Sequence, residues 1–277
     1  MLGYLILALC TAMYALGIVA QGLAARRTGD RVDSRLGFLA RLLSDPLYLL
    51  GFAGQAGGFV LAYFARASLP LYLVQAGSSA AVGVAAIFGA VVLGWRLRRL
   101  EVGVLVVMAC GLVLLAGSSE TSQAREISPE LGVLLLAVLL ACAAAVVYLS
   151  RSGPALLLAV LAGVAFSMVA IISRAVADQP LLEVPLHPLA WLMVLSAVVG
   201  QAALALALRT GSVTSMVASM DATTVVLASV TGIAALGDRI AAGRQWWVTL
   251  GLALVVAGVL ALGTLRETRT GVAVSAG

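Results

Sequence analysis

Charged side chains are scarce in this sequence. They make up 10% of the 277 residues, against roughly 25% in ordinary globular domains, whereas hydrophobic residues make up 62%. Lysine is missing altogether, so all 17 basic residues are arginine, a bias that we read as GC-rich bacterial coding. With a mean hydropathy of +1.12, the chain is predicted to cross a membrane several times, and the residues outside its apolar runs are too few for a soluble domain.

Cysteine and histidine are also few. Cys10, Cys110 and Cys142 each lie within an apolar run and lack the spacing of a metal site. We therefore expect small buried side chains and neither a disulfide framework nor a zinc site. The single histidine, His187, stands in PLHPLAW without a second histidine or an HExxH pattern, which argues against a metal ligand.

Signals for catalysis are missing as well. The sequence has no Walker A pattern, no paired carboxylates and no set of nucleophile, histidine and acid. We predict that the protein is not an enzyme, that it holds no cofactor, and that any energy coupling uses an ion gradient. The formal charge of +5 comes from short arginine clusters between apolar segments, which predict helix orientation and no binding of nucleic acid.

Long apolar runs fill nearly all of the chain. A run of about 18 or more residues is a candidate transmembrane helix, because the hydrocarbon core is about 30 Å thick and a helix rises about 1.5 Å per residue. The sequence predicts nine spans, at 2–25, 47–65, 69–93, 100–117, 131–150, 154–177, 188–208, 212–236 and 246–265. They form one membrane domain, 1–277, of an all-α integral membrane protein.

The arginines predict the orientation of these spans. Twelve of the 17 fall in alternate loops on one side and five on the other, so the richer side is cytoplasmic, with the N-terminus outside and the C-terminus inside. The first run follows no basic segment and has no small-residue cleavage site, so it predicts an anchor and not a cleaved signal. We expect a multi-pass protein of a bacterial cytoplasmic membrane.

Three segments between and after the spans have other predictions. DSRLGFLARLLSDP, 33–46, carries leucines at helical spacing and predicts an amphipathic helix at the cytoplasmic interface, which either connects two spans or binds lipid or a regulator. SSETSQAREISPE, 118–130, predicts a polar outside loop. RETRTGVAVSAG, 266–277, predicts a short, flexible cytoplasmic tail.

The two halves of the chain resemble each other. At a constant offset of 143 residues, four identical pairs align: Arg66 with Arg209, Gly89 with Gly232, Gly94 with Gly237 and Arg96 with Arg239. The first four spans, in 1–118, are predicted to repeat as the last four, in 154–265, joined by a linking helix at 131–150. Since one span intervenes, the second copy starts on the opposite face. Two inverted four-helix repeats are the usual architecture of secondary transporters.

The same segments carry a resemblance to a known group. The repeats and the glycine-rich endings ACGLVLLAG and VAGVLALG are similar to the drug/metabolite transporter superfamily, EamA-like branch. The stretch DPLYLLGFAGQAGGFVLAYFARASLPLYLVQAGSSA, followed by LGWRL, resembles the NIPA-like magnesium transporter group. The chain differs at Trp95, where the superfamily often has an acid, and around Gln75, where a proline-leucine-glycine turn is replaced. The resemblance implies a membrane transporter of a small solute, or of magnesium.

One carboxylate, Asp221, stands inside a predicted span, in SMVASMDATTVVLA. An acid at the centre of a membrane helix costs roughly 2.5–3.5 kcal/mol on insertion scales, so it must face protein or water and is a functional candidate. Either it handles substrate or protons, or it joins helices through nearby hydroxyl groups. The residues Thr214, Asp221 and Thr224 share one face of their helix.

Other polar residues complete a predicted cavity. Gln75 and Ser78 align with the region of Asp221 in the repeat. Arg174 is a candidate gate or anion contact, and Asp178 stands four residues further on, at a spacing that allows an ion pair. Gln55 and Gln201 either join helices or contact ligand. The full set of candidates for substrate binding or proton coupling is Asp221, Ser78, Gln75, Ser79, Thr214, Thr224, Tyr14 and Ser167, with Phe166 as a further lining residue.

The leading hypothesis is a secondary transporter of a small metabolite or drug-like solute, with Asp221 as the candidate for proton coupling. The alternatives are a NIPA-like transporter of magnesium or other divalent cations, a translocase for a lipid-linked carrier, and a membrane scaffold that transports nothing. The expected partners are membrane lipids and a small-molecule, ionic or lipid-linked substrate. Gly54 and Gly58, at GxxxG spacing, serve either internal packing or a homodimer.

Overall fold

The computed structural model describes residues 2–29, 44–93, 98–120, 127–150, 153–177, 187–210 and 213–275. Within these ranges the regular structure is helical, apart from one isolated bridge between Ser119 and Ile240. The helices are α1 (Leu2–Gly29), α2 (Pro46–Ser68), α3 (Leu71–Ser79), α4 (Ala81–Leu93), α5 (Arg99–Ser118), α6 (Pro129–Leu149), α7 (Ala155–Ala175), α8 (Pro188–Thr210), α9 (Val213–Ala234) and α10 (Gln245–Ser275).

Nine helical stretches of the described chain are long and apolar enough to cross a membrane, with α3 and α4 counted together as Leu71–Val91. The prediction of an all-α chain with about nine helices of membrane-spanning length is confirmed, and such helices indicate a multi-pass membrane protein. The third predicted span is divided by a turn at Ala80. Since Ala80 N–H still donates to the Ala76 carbonyl at 3.0 Å, the two halves remain nearly continuous.

Local sequence sets where several helices begin. Asp45 caps α2 by accepting from the Leu47 N–H at 2.8 Å, and Pro46 occupies the first helical position, where no N–H is needed. Ser128 caps α6 in the same way, through the Leu131 N–H at 3.3 Å. These serine, aspartate and proline signals satisfy the amide groups at helix starts, which are costly to leave unpaired in a membrane.

Close helix crossings hold the bundle together. Helix α1 packs along α2, α7 along α8, and α5 along α10, while α9 lies centrally against α3, α7 and α10. A Cβ atom on Gly51 would lie 2.9 Å from the Gly17 carbonyl oxygen, and a Cβ atom on Gly251 would lie 2.9 Å from the Gly111 carbonyl oxygen. Glycine at these crossings lets α1 approach α2, and α5 approach α10, to backbone contact.

Gly54 and Gly58 also face α1. A Cβ atom on Gly54 would lie 3.4 Å from the Met13 carbonyl oxygen, and one on Gly58 would lie 3.0 Å from the Tyr14 ring. Their GxxxG spacing therefore serves packing inside the chain. The same two glycines no longer support the alternative of a homodimer.

The outer surface of the bundle is apolar. Large hydrophobic side chains are exposed on most helices, and the linking helix α6 exposes residues such as Val133, Leu140 and Val147 at its edge. Such a surface is costly in water and matches lipid. Helix α6 packs against α7 and α8 and lies at the edge of the bundle.

Three predicted segments differ from the structure or lie mostly outside it. Helix α10 continues to Ser275, through most of the segment predicted as a flexible tail, 266–277. Most of the predicted amphipathic helix, 33–46, and most of the loop between α5 and α6 fall outside the described residues.

Candidate functional site

A cavity of ≈ 560 Å³ lies at the centre of the bundle. Helices α1, α2, α3, α4, α7, α8 and α9 all contribute to it, so every span except those of α5, α6 and α10 lines its wall. The lining residues are Tyr14, Ile18, Gln55, Phe59, Arg66, Gln75, Ser78, Ala81, Val82, Phe166, Val169, Ala170, Ala197, Val217, Met220, Asp221 and Thr224. A wall of apolar and aromatic side chains with a few polar groups is typical of a site for a small organic ligand.

Asp221 faces this cavity from α9. It forms no ion pair within the described part of the chain. The Ser79 hydroxyl is buried and interacts with the Asp221 carboxyl group, but it falls short of hydrogen-bond geometry there. The Tyr14 phenol lies within electrostatic range of Asp221 and also of Arg66. Asp221 is therefore placed where a ligand or a proton can reach it.

Thr224, one turn from Asp221, anchors α9 to α7. Its hydroxyl lies 3.2 Å from the Gly163 carbonyl oxygen and 2.9 Å from the Met220 carbonyl oxygen. The residue lines the cavity, yet its hydroxyl is engaged by the backbone. This contact fixes the position of Asp221 relative to α7.

Polar groups of α3 form the facing wall. The Ser78 hydroxyl donates to the Val74 carbonyl at 2.9 Å and lies 3.8 Å from the Cys10 sulfur. Gln75 is 8% exposed, and its Oε1 atom has no partner in the described part of the chain. An unpaired amide oxygen in a buried wall is expensive unless a ligand or water satisfies it.

Arg66 lines the same cavity from the last turn of α2. Its Nη1 atom donates to the Ser173 hydroxyl at 3.1 Å, and its guanidinium carbon lies 5.9 Å from the centre of the Phe59 ring. The side chain is 4% exposed, and the described residues provide it with no carboxylate.

Arg174 lies next to Arg66 but does not line the cavity. Its Nη2 atom lies 3.1 Å from Asp238 Oδ1, with both side chains 0% exposed, and its Nη1 atom donates to the Arg66 carbonyl. Asp238 Oδ2 accepts from the Leu71 N–H at 2.5 Å, at the start of α3. We call Arg66, Ser173, Arg174 and Asp238 the arginine–aspartate cluster. It ties α2, α3 and α7 to the loop after α9.

The glycine before Asp238 explains how this carboxylate reaches the cluster. Gly237 has a φ of 73°, in the left-handed region that glycine tolerates, and the Asp238 N–H donates to the Gly232 carbonyl at 3.0 Å. This bond spans six residues and closes a wide turn directly after α9. The chain therefore turns sharply after α9, and Asp238 points back toward α7 and the start of α3.

Burial raises the pKa of Asp238 above its ordinary value, while the Arg174 guanidinium and the Leu71 N–H act in the opposite direction. The carboxyl group loses hydration on burial, which penalises its charged form. Its ionised state thus depends on Arg174.

The structure brings many of the predicted site residues together, but not all. Asp221, Ser78, Gln75, Thr224, Tyr14 and Phe166 all line the cavity. Ser79 stands behind the wall, next to Asp221, and the Ser167 hydroxyl donates to the Val164 carbonyl at 2.7 Å, away from the lining. The side chain of Thr214 lies outside the described part of the chain, as does Asp178. Arg174 is paired with Asp238, which lies far along the chain.

The two glutamines also differ from each other. Gln55 lines the cavity and donates to Gln21 Oε1 at 3.1 Å, so it joins α2 to α1. Gln201 is exposed on α8 and does not line the cavity.

Arg66, Phe59 and Asp238 were not among the predicted site residues. Arg66 and Asp238 each stand close to the end of an apolar run, where a charge is ordinarily read as a loop residue that orients a helix. Arg66 stands at the end of an apolar run with no acidic residue near it in sequence. This pattern is the signal by which it could have been recognised as a site residue. Nothing in the sequence indicates that Asp238 lies next to Arg174.

The described residues contain no group of three or more histidine, cysteine, aspartate or glutamate side chains that could hold a metal ion. Comparison with protein-family models, with curated proteins and with solved structures finds no match for this chain.

Proposed function

We propose that the chain is a multi-pass secondary transporter of the drug/metabolite transporter type, which moves a small solute across the cytoplasmic membrane by alternating access. The observation that carries this proposal is the central cavity of ≈ 560 Å³, into which Asp221 projects from the middle of an apolar helix. Insertion of an acid at the centre of a membrane helix costs roughly 2.5–3.5 kcal/mol of free energy, so its presence there favours a functional role.

The pairing of helices supports two inverted repeats. The first two spans of each predicted repeat pack together, as α1 with α2 and α7 with α8, and the last spans, α5 and α10, pack against each other. Helices α3 and α9, which hold equivalent places in the repeats, meet at the cavity. Transporters of this architecture bind substrate where the repeats meet, and they alternate by rocking one repeat against the other.

The arginine–aspartate cluster supplies a barrier at one end. The cluster lies where α2 ends and α3 begins, and the positive-inside rule predicts that this end faces outside. For the cavity to open there, Asp238 must separate from Arg174 or move with it. Separation of a buried ion pair leaves each charge uncompensated, which costs free energy. We therefore expect the closed state to be stable unless the cluster moves as a unit.

Asp221 is the group that we assign to coupling. It faces the cavity and forms no ion pair with the described residues, so it can take up a proton from the cavity and release it there. The scaffold hypothesis requires Asp221 to be sealed between helices, and the cavity argues against it. A magnesium path would need several oxygen ligands at one place, whereas the described lining contains a single carboxylate.

Accessibility of the cavity from both faces of the membrane tests this proposal. In a Cys10→Ser, Cys142→Ser background, Val82→Cys or Ala197→Cys adds a thiol to the cavity wall, and the exposed Cys110 on α5 remains as a lipid-facing control. A membrane-impermeant methanethiosulfonate reagent is added to right-side-out and to inside-out vesicles. We expect the cavity thiols to react in both preparations and Cys110 in neither. Reaction from one face only, or from neither, would contradict alternating access.

A further inference from the structure

Arg66 and Arg174 are buried next to each other, and among the described residues a carboxylate pairs with Arg174 but not with Arg66. Arg174 lies 3.1 Å from the Asp238 carboxylate. Arg66 has no carboxylate partner in the described ranges, although it is 4% exposed. Its Nη1 atom reaches the Ser173 hydroxyl at 3.1 Å, while its Nε atom has no acceptor.

A buried arginine without a carboxylate partner is unfavourable for the protein when no ligand is bound. Burial of an unpaired charge costs several kcal/mol, and an unsatisfied donor adds to that cost. Arginine also stays protonated, so it cannot relieve the cost by releasing its proton. The described residues therefore leave the Nε atom without an acceptor, and the cavity is the space from which one can come.

The walls next to Arg66 are suited to an organic anion. Gln75 lines the same cavity, its Oε1 atom has no partner among the described residues, and its amide can turn its NH₂ group toward an anion by rotation. Phe59, Phe166 and Met220 contribute apolar surface. A volume of ≈ 560 Å³ falls within the range of roughly 300–1,000 Å³ in which proteins enclose small organic ligands.

From this geometry we infer that the substrate is a small organic solute with an anionic group, which binds to the Arg66 guanidinium, and with an aromatic or other apolar body, which fills the cavity. The inference rests on the proposed function, because it names the class of solute for that same cavity. Guanidinium binds a carboxylate through two parallel hydrogen bonds, and Nε together with a terminal nitrogen presents this geometry.

Binding of three phenyl compounds of similar shape tests the inference. Phenylacetate carries an anion, phenylacetamide is its neutral counterpart and phenethylamine carries a cation. Isothermal titration calorimetry on the purified full-length protein in detergent gives the three dissociation constants. We expect phenylacetate to bind about 10- to 100-fold more tightly than phenylacetamide, which is the range for one hydrogen-bonded charge, and we expect Arg66→Gln to abolish this preference.

Two variants control for charge and for folding. Arg239→Gln removes the same charge from an exposed residue next to Asp238 and is expected to leave the preference unchanged. Arg66→Lys keeps the charge without the planar fork and is expected to retain an intermediate preference. Because no carboxylate among the described residues neutralises Arg66, Arg66→Gln without ligand is expected to melt no lower than the native protein. A much lower melting temperature would show that Arg66 serves the fold and would overturn the inference.

Other outcomes are equally decisive. Equal binding of the three compounds, binding of none, or a phenylacetate affinity unchanged in Arg66→Gln would overturn the assignment. Binding of dioleoyl phosphatidate without binding of phenylacetate would assign Arg66 to a lipid headgroup and would also overturn it. If the cavity thiols react from both faces while phenylacetate is not preferred, transport stands and anion selection fails. If they react from one face only, the transport proposal fails whichever compound binds.

Discussion

Replacement of Asp238 by asparagine is expected to be the most destabilising single change in the arginine–aspartate cluster. Asp238 Oδ1 lies 3.1 Å from Arg174, its Oδ2 lies 2.5 Å from the Leu71 N–H, and both charged side chains are 0% exposed. Asparagine keeps the size but loses the charge. It also turns an NH₂ group toward one of two donors, so Arg174 or the Leu71 N–H loses its acceptor.

The magnitude follows from the charge that remains. Loss of one partner of a buried pair costs about 3–5 kcal/mol, because the other charge stays buried and uncompensated. Arg174→Met is expected to cost less than Asp238→Asn, because the remaining carboxyl group can take up a proton whereas a guanidinium cannot release one.

The cost of Arg174→Met is expected to depend on pH. Burial already raises the pKa of Asp238, and loss of Arg174 removes the largest influence that lowers it. The folded variant then binds more protons than the unfolded chain from about pH 3.9 up to the raised folded pKa. Its stability rises as pH falls through that folded pKa, so the destabilisation should be smaller at pH 5 than at pH 8.

Denaturant unfolding in detergent, followed by tryptophan fluorescence, measures these free energies. The series comprises the native protein, Asp238→Asn, Arg174→Met and the double variant, with Arg239→Met as an exposed control. We expect the double variant to be more stable than Asp238→Asn alone, because it removes the Arg174 charge that Asp238→Asn leaves without its carboxylate. A double variant whose loss equals the sum of the two single losses would show that the pair is not coupled, contrary to its geometry.

Two further changes test the packing around the cavity. Gly163→Val is expected to destabilise by about 1–3 kcal/mol, because a Cβ atom there would lie 2.6 Å from the Met220 carbonyl oxygen on α9, whereas Gly103→Val, with nothing within 4 Å, should be tolerated. Tyr63→Phe removes a buried hydroxyl that donates to the Val176 carbonyl at 2.7 Å, and a loss of about 1 kcal/mol is expected. Both are measured by the same unfolding assay, and equal effects for Gly163→Val and Gly103→Val would contradict the close α7–α9 crossing.

The spans could be predicted from sequence because the lipid solvent imposes a local rule. Every backbone group in hydrocarbon must be bonded within its own helix, so an apolar run of sufficient length predicts a helix by itself. The same rule identified Asp221 as a candidate functional residue. A single carboxylate within an apolar run can be recognised from local sequence, without knowledge of its spatial neighbours. The ends were less predictable: α10 extends to Ser275 because a helix can continue beyond the hydrocarbon.

What the sequence by itself determined is therefore the membrane class, the number of spans and the presence of a buried acid, all of which follow from the local balance of polar and apolar residues. The tertiary structure alone decided which polar residues meet. Arg174 finds Asp238 at a distance of 64 residues along the chain, and Arg66 finds the Ser173 hydroxyl at 107. Such pairs depend on how helices cross and on a glycine turn at Gly237, and side-chain identity in one segment carries no information about its partner in another.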